Sequence, residues 1–148
     1  MTAEAQPAVE FGHVEPLPTH FDDLDLMGMV HNTRYPILVE RALTGFWTRQ
    51  GFHFENGVYS QPDVFLVVAE FSIGYLTPIR GTSTIGVHLW VDKLGGSSAT
   101  YGFRILSADR SIVHAEGKRV HIRLDQETRR PTSWTPAARA ILEGLRKD

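Results

Sequence analysis

The apolar positions of this chain follow two different rhythms. Between residues 35 and 47 they fall at Tyr35, Leu38, Val39, Ala42, Leu43, Phe46 and Trp47. Spacings of three and four put all of them on one broad face of a helix. Glu40, Arg41 and Arg49 lie largely off that stripe, and Gly51 supplies a C-terminal stop. Pro36 is comfortable only in a first turn, so the helix starts between Asn32 and Tyr35. At about 1.5 Å per residue it runs roughly 25 Å, enough to lie across a sheet.

After Gln61 the period becomes two. "DVFLVVAEFSIGYLTPI" is a long β-branched and aromatic run closed by Thr77-Pro78. "TSTIGVHLWVDKL" sets Ile85, Val87, Leu89 and Val91 on one face, with Thr84, His88, Trp90 and Asp92 on the other. Gly95-Gly96-Ser97-Ser98 turns into "TYGFRIL", where Tyr101, Phe103 and Ile105 share a face. A second turn at Ser107-Ala108-Asp109-Arg110 leads to "SIVHAEGKRVHIRLD", with Gly117 a candidate bulge. Ahead of the helix, an extended segment from Val14 to Phe21 contains Pro16 and Pro18, which suits an edge strand. At the end, Thr135-Pro136 opens a short helix carrying Ile141, Leu142 and Leu145. Hairpin-length connections make neighbouring strands antiparallel, and the single long helix is the apolar cover they need. The expectation is an α+β domain, one antiparallel β-sheet wrapped around a long central α-helix. Residues 1–12 are expected to be a flexible tail and 13–148 the domain, with no internal repeat.

Composition narrows the chemistry. Fifteen Lys and Arg against 17 Asp and Glu is the wrong balance for a nucleic-acid binder. Without cysteine there is no disulfide, no thiolate nucleophile and no cysteine zinc site. No apolar run approaches the ~20 residues of a membrane span. The opening "MTAEAQPAVE" has neither a basic nor an apolar leader segment, which makes the cytoplasm the expected location.

Residues 21–35, "FDDLDLMGMVHNTRY", crowd three aspartates just ahead of the longest helix. The pattern Asp25, Gly28, Val30, His31-Asn32, Tyr35 and Glu40 resembles the signature of hotdog-fold thioesterases of the 4-hydroxybenzoyl-CoA thioesterase type. So do "YLTPIRG" (residues 75–81), Leu94-Gly95 with Ser97-Ser98, and "DQETRRPTSWTP" after the last strand. The resemblance spans roughly Val14 to Pro136. It departs from many relatives at Met29-Val30-His31-Asn32, where His-Val-Asn-Asn is common, and at Thr82, where an acidic residue often follows the glycine.

The resemblance implies hydrolysis of an acyl thioester of coenzyme A, or of acyl-carrier protein, by a homodimer or homotetramer. It implies no cofactor, because coenzyme A belongs to the substrate. It makes Asp25 the base or nucleophile and the first turn of the central helix the oxyanion site, with the Asn32 amide as donor. Free helix N-terminal N–H groups and the helix dipole favour developing negative charge at that point. Gly28 permits close backbone approach. His31 is a candidate for orienting water or substrate as a neutral imidazole, and Tyr35 a candidate substrate contact. Glu40 is read as structural.

Two other functions compete. A hotdog hydratase or dehydratase is kept in play by His31 near Asp25, and the third reading is a non-catalytic acyl-CoA-binding module. Asp22 and Asp23 read as turn and capping residues. His20, Asp22, Asp25 and His31 match no standard ligand spacing, so no metal is expected. His13, His53, His88, His114 and His121 are expected mostly on the sheet surface. Trp47, Phe46, Phe52, Phe54 and Phe65 are core candidates that together could line an acyl site. Arg80, Lys118, Arg119, Arg129 and Arg130 are candidates for coenzyme phosphates or for a solvated face.

Overall fold

A computed structural model describes residues 9–148. Eight of the twelve residues expected to form the tail lie outside that range. Of the remaining four, Phe11 packs against His88 and Trp90, and its carbonyl lies 2.9 Å from His88 Nε2.

The chain runs β1 (His13–Pro18), α1 (Tyr35–Arg49), β2 (Phe54–Glu55), β3 (Val58–Tyr59), β4 (Leu66–Tyr75), β5 (Thr84–Leu94), β6 (Ser98–Ser107), β7 (Val113–Arg123) and α2 (Pro136–Gly144). Five strands form one sheet in the order β1-β5-β6-β7-β4, every neighbouring pair antiparallel. The two-proline strand is indeed at an edge. β2 and β3 make a separate small hairpin that the sequence left as loop. Two residues per strand are too few to show a period.

The expected stripe of α1 is its buried face: Tyr35, Leu38, Val39, Ala42, Leu43 and Phe46 are all buried. It packs on Ile85, Val87, Leu89 and Val91 of β5 and on Ala99, Tyr101, Phe103 and Ile105 of β6. The far end of α1 is tied to β1 by Arg49 and Glu15. Burial alone would raise the Glu15 carboxyl, but hydrogen bonds from Arg49 and His13 outweigh it and hold the group below its ordinary value.

The other face of the sheet is better covered than the alternation suggested. His88 and Trp90 are buried there beneath Phe11, with Arg104 over the indole. α2 closes one end of the core with Ala138, Leu142 and Leu145. Thr135 caps it, and buried Asp63 accepts from the Thr135 N–H at 2.8 Å and its hydroxyl at 2.7 Å.

Gly117 is not a bulge. The register shifts fall at Val68/Glu70, Val91/Lys93 and Ile105/Leu106, while Gly117 stays in step with Phe103 and Ile73. A glycine is needed because a Cβ there would stand 2.0 Å from the Ser72 carbonyl oxygen and 2.8 Å from the Phe103 ring. Gly117→Ala is therefore expected to cost on the order of 1–3 kcal/mol through forced displacement of β4. A urea melt with a midpoint equal to that of the native chain would contradict this.

Candidate active site

Two regions carry chemistry. The first is the acidic loop between the first strand and the central helix. A single 3-10 turn at Phe21–Asp23 is followed by a tight loop in which Leu24 bridges Val30. Asp25 organises that loop. Its Oδ1 accepts the N–H of Met27 at 2.8 Å and of Met29 at 3.2 Å, while its own N–H donates to the Met29 carbonyl at 2.7 Å. Gly28 sits at φ +74°, the left-handed bend this hairpin requires. The loop is clamped from outside, because Val30 N–H donates to Ile79 O and Gly81 N–H to Gly28 O. Asp25 Oδ2 has no partner among the described residues.

The helix begins through a 3-10 turn, Asn32–Arg34, that runs directly into α1. The capping side chain is that of His31, not Asn32: His31 Nδ1 accepts the Thr33 N–H at 3.2 Å and lies 2.8 Å from the Thr33 hydroxyl. From Met27 to Tyr35, every backbone N–H has a partner among the described residues except that of Asn32. The Asn32 carbonyl is held by the Tyr75 hydroxyl at 3.2 Å.

Tyr35 does not offer an open face. It is buried, packed edge-on against Tyr75, and the Ile79 N–H donates to its hydroxyl. Burial dominates and pushes that phenol up. Its place is between the clamp and the helix. Asp23 is the structural member of the acidic cluster: it is buried, it accepts the His20 N–H at 2.8 Å, and its carbonyl accepts from His31. Asp22 is exposed.

The second region is a cavity of about 380 Å³ on the side of α1 that faces β7. Leu43, Trp47, Phe52, Val64 and Trp134 give it apolar walls, and Glu40, Tyr101, Arg119 and His121 add polar groups. Asp25, His31 and Asn32 are not among its lining residues, so within one protomer the predicted site residues and the cavity are separate. Sequence reading grouped His121 with the histidines expected mostly on the sheet surface and left Arg119 to coenzyme phosphates or a solvated face. Both are buried on the inner face instead, Arg119 Nε donating to His121 Nε2 at 2.8 Å. The available signal was a break in alternation, since the inward positions of β7 read Ala115, Gly117, Arg119 and His121, two apolar-side places filled by charge-bearing types. Of the five aromatic acyl-site candidates, Trp47, Phe52 and Phe54 line the cavity, whereas Phe46 and Phe65 do not. His88 and His114 are also buried. Among the described residues no group of three or more His, Asp or Glu is arranged to hold a metal. No helix among them is long and apolar enough to cross a membrane.

One sheet wrapped on one helix, with an aspartate loop at the helix start and a separate cavity along its side, makes a hotdog-type α+β fold. Residues 27–114 match the thioesterase superfamily model, more than half of the chain, and the chain belongs to that family. No curated protein matches the sequence. Among solved structures, the PA5185 protein of Pseudomonas aeruginosa superimposes with a TM-score of 0.81 at 24% identity over 93% of both chains. A candidate acyl-CoA thioesterase of Xanthomonas campestris shares 27% identity over 84% of this chain and 98% of its own, with a TM-score of 0.67. A 1,4-dihydroxy-2-naphthoyl-CoA thioesterase of Synechocystis matches with a TM-score of 0.76 at 15% identity, covering 90% of this chain and 98% of its own.

The buried His121 ring makes a prediction about acid. Burial first, and the Arg119 charge second, lower its pKa from the ordinary 6.5 to about 3. Between those values the unfolded chain binds a proton that the folded chain refuses, so this contribution to stability is complete above pH 6.5 and is lost as pH falls. Between pH 7 and pH 5 the melting temperature of the native chain is expected to drop more than that of His121→Gln. Parallel pH profiles would contradict it.

Proposed function

We propose that this domain hydrolyses an acyl-CoA thioester, with the Asp25 carboxylate as base or nucleophile and the Asn32 amide as oxyanion donor. One observation carries the reading: a carboxylate pinned through one oxygen, with the other open, stands just ahead of the helix start, where Asn32 has the one N–H between Met27 and Tyr35 without a partner among the described residues. As a base, Asp25 takes a proton from water while the water oxygen bonds to the thioester carbon. Charge then develops on the former carbonyl oxygen, where a fixed amide stabilises it without reorganisation. Collapse expels coenzyme A as thiolate and leaves the free acid. As a nucleophile, Asp25 attacks the thioester carbon, the C–S bond breaks with coenzyme A leaving as thiolate, and water then cleaves the resulting acyl anhydride, with the same oxyanion donor. No cofactor enters either route.

In this scheme Gly28 shapes the loop and Tyr35 braces it. His31 orients the first turn and presents Nε2, which has no partner among the described residues, to water or substrate. The neighbours from Xanthomonas campestris and Synechocystis favour coenzyme A over a carrier protein as the thiol.

The assembly we propose is a dimer through β4. That strand is at the open edge of the sheet, with Val67, Val68 and Tyr75 exposed, and a long apolar edge seeks another strand. Antiparallel pairing of two copies of β4 continues the sheet and runs the two central helices in opposite directions. The Asp25 loop of one protomer then lies toward the cavity half of its partner's helix, which reconciles the two separated regions.

A second reading has one observation in its favour. Glu40 lines the cavity and Asp25 does not, so the helix carboxylate is the competing base. Substitution separates the two. Asp25→Asn is expected to lower thiol release 10²–10⁴-fold, while the exposed Asp22→Asn changes it only a few-fold. Asn32→Pro removes the open N–H at a position where proline suits a helix start after extended His31 (ψ 140°), and is expected to cost about 10²–10³-fold with little change in melting temperature. A full rate in Asp25→Asn beside a large loss in Glu40→Gln would transfer the role to the helix.

For the dimer, Val68→Lys is expected to halve the mass seen by light scattering at micromolar concentration and to abolish thiol release while circular dichroism is unchanged. A native chain that is monomeric and fully active would overturn the composite site.

A further inference from the structure

The polar end of the cavity displays an unusual pattern of hydrogens. Arg119 Nε–H donates to His121 Nε2 at 2.8 Å. A guanidinium is always protonated, so Nε2 is the bare nitrogen and the ring hydrogen sits on Nδ1. Trp47 Nε1–H donates to the Tyr101 hydroxyl at 3.0 Å. Indole can only donate, so the Tyr101 O–H hydrogen must find another acceptor. Arg119 also reaches Glu40 Oε1 from one terminal nitrogen at 3.3 Å, which leaves the other terminal nitrogen open.

No described residue accepts from the Tyr101 O–H, from the His121 Nδ1–H or from that second Arg119 nitrogen. All three side chains line the cavity, and they are 2%, 6% and 7% exposed. The carboxylates nearby are committed or outside. Asp63 is taken by Thr135 and lies 3.8 Å from Arg123, while the Glu40 and Glu55 side chains are 62% and 64% exposed. His53 Nδ1 is buried without a hydrogen bond, 3.8 Å from Glu55 Oε1. Tyr101, His121 and Arg119 are thus the lining groups that present hydrogens with no described acceptor.

We propose that the acyl group this cavity receives ends in an oxygen acceptor, a carboxylate or a ketone, which takes up the hydrogens of Tyr101, His121 and Arg119. The acyl identity of the ligand rests on the thioesterase reading; the preference for oxygen rests on the donors alone. Both groups accept without donating, which fits three lining side chains whose hydrogens have no acceptor among the described residues. A plain alkyl end would exclude water from three buried donors and return nothing, and a site built to hydrogen-bond its ligand discriminates more strongly against such an analogue than against a changed methylene. Leu43, Trp47, Phe52 and Trp134 hold the carbon chain. A carboxylate competes with Glu40 for Arg119, and Glu40, mostly in solvent, is free to turn outward.

Calorimetric titration with three thioethers that cannot be hydrolysed tests this: S-hexyl-CoA, S-(5-carboxypentyl)-CoA and S-(5-oxohexyl)-CoA. At least one oxygenated ligand is expected to bind about ten-fold or more tightly than S-hexyl-CoA. Their order tells the anion from the neutral acceptor. The advantage is expected to vanish in Tyr101→Phe and in Arg119→Lys; if the latter does not fold, Tyr101→Phe, which deletes one oxygen, decides. Equal or tighter binding of S-hexyl-CoA, binding of none of the three, or an oxygen preference that survives substitution would overturn the proposal. Titration needs no turnover. Absence of thiol release from every CoA thioester would therefore defeat the hydrolytic reading while leaving the ligand preference measurable on its own.

Discussion

One helix cannot fill the concave side of five strands. A helix with its side chains is about 10 Å across, whereas five strands spaced about 4.8 Å apart span roughly 19 Å between outer axes. The sheet answers by wrapping, and α1 packs on the inward Ile85, Val87, Leu89 and Val91 of β5 and on Ala99, Phe103 and Ile105 of β6. On the β7 side the mismatch remains. α2, the β2–β3 hairpin and Trp134 close around the gap without filling it, and the cavity is what is left. The hollow thus follows from the width of a helix, and the sequence records it only as polar residues in apolar places.

The acidic loop solves a different problem. A chain turning from an edge strand into a central helix leaves a run of amides that must be satisfied. Asp23 and Asp25 each satisfy part of that run, Asp23 from a buried position and Asp25 from a half-exposed one. Two carboxylates in the same stretch therefore end with different duties, and exposure separates them. His31 completes the arrangement by capping the first turn through its ring.

Much of the fold was legible because its signals are periodic. The α1 stripe, the β5 faces, the edge position of β1 and the Thr135 cap all follow from spacing or from proline and threonine chemistry. The β2–β3 hairpin was not, since four residues of strand carry no rhythm. The site was legible in part. Asp25, Gly28 and Asn32 stand out through motif spacing; in the structure Asp25 organises its own loop and Gly28 takes a left-handed φ, while their part in catalysis is the proposal above. His121 was grouped with the sheet-surface histidines and Arg119 offered to coenzyme phosphates or a solvated face, because a basic residue on a strand ordinarily reads as solvent-facing, while Tyr101 read as one of three residues sharing a face. Only the count along β7, two residues at a time from Ala115, shows that Arg119 and His121 must point inward. Tyr35 illustrates the opposite error: an aromatic at a motif position is here a brace, buried behind the loop it supports.

Tyr75 joins two parts of the molecule that are otherwise far apart in the chain. It lies near the end of the open edge strand, yet its hydroxyl holds the Asn32 carbonyl and its ring packs on Tyr35. Whatever straightens or anchors that strand therefore also fixes the orientation of the first helical turn. A solitary protomer keeps its core, but its edge strand frays more readily than the centre of the sheet, and the fraying reaches the helix entrance through a single phenol. Pairing of that strand with a second copy, as in the proposed dimer, would therefore steady the helix entrance together with the sheet edge.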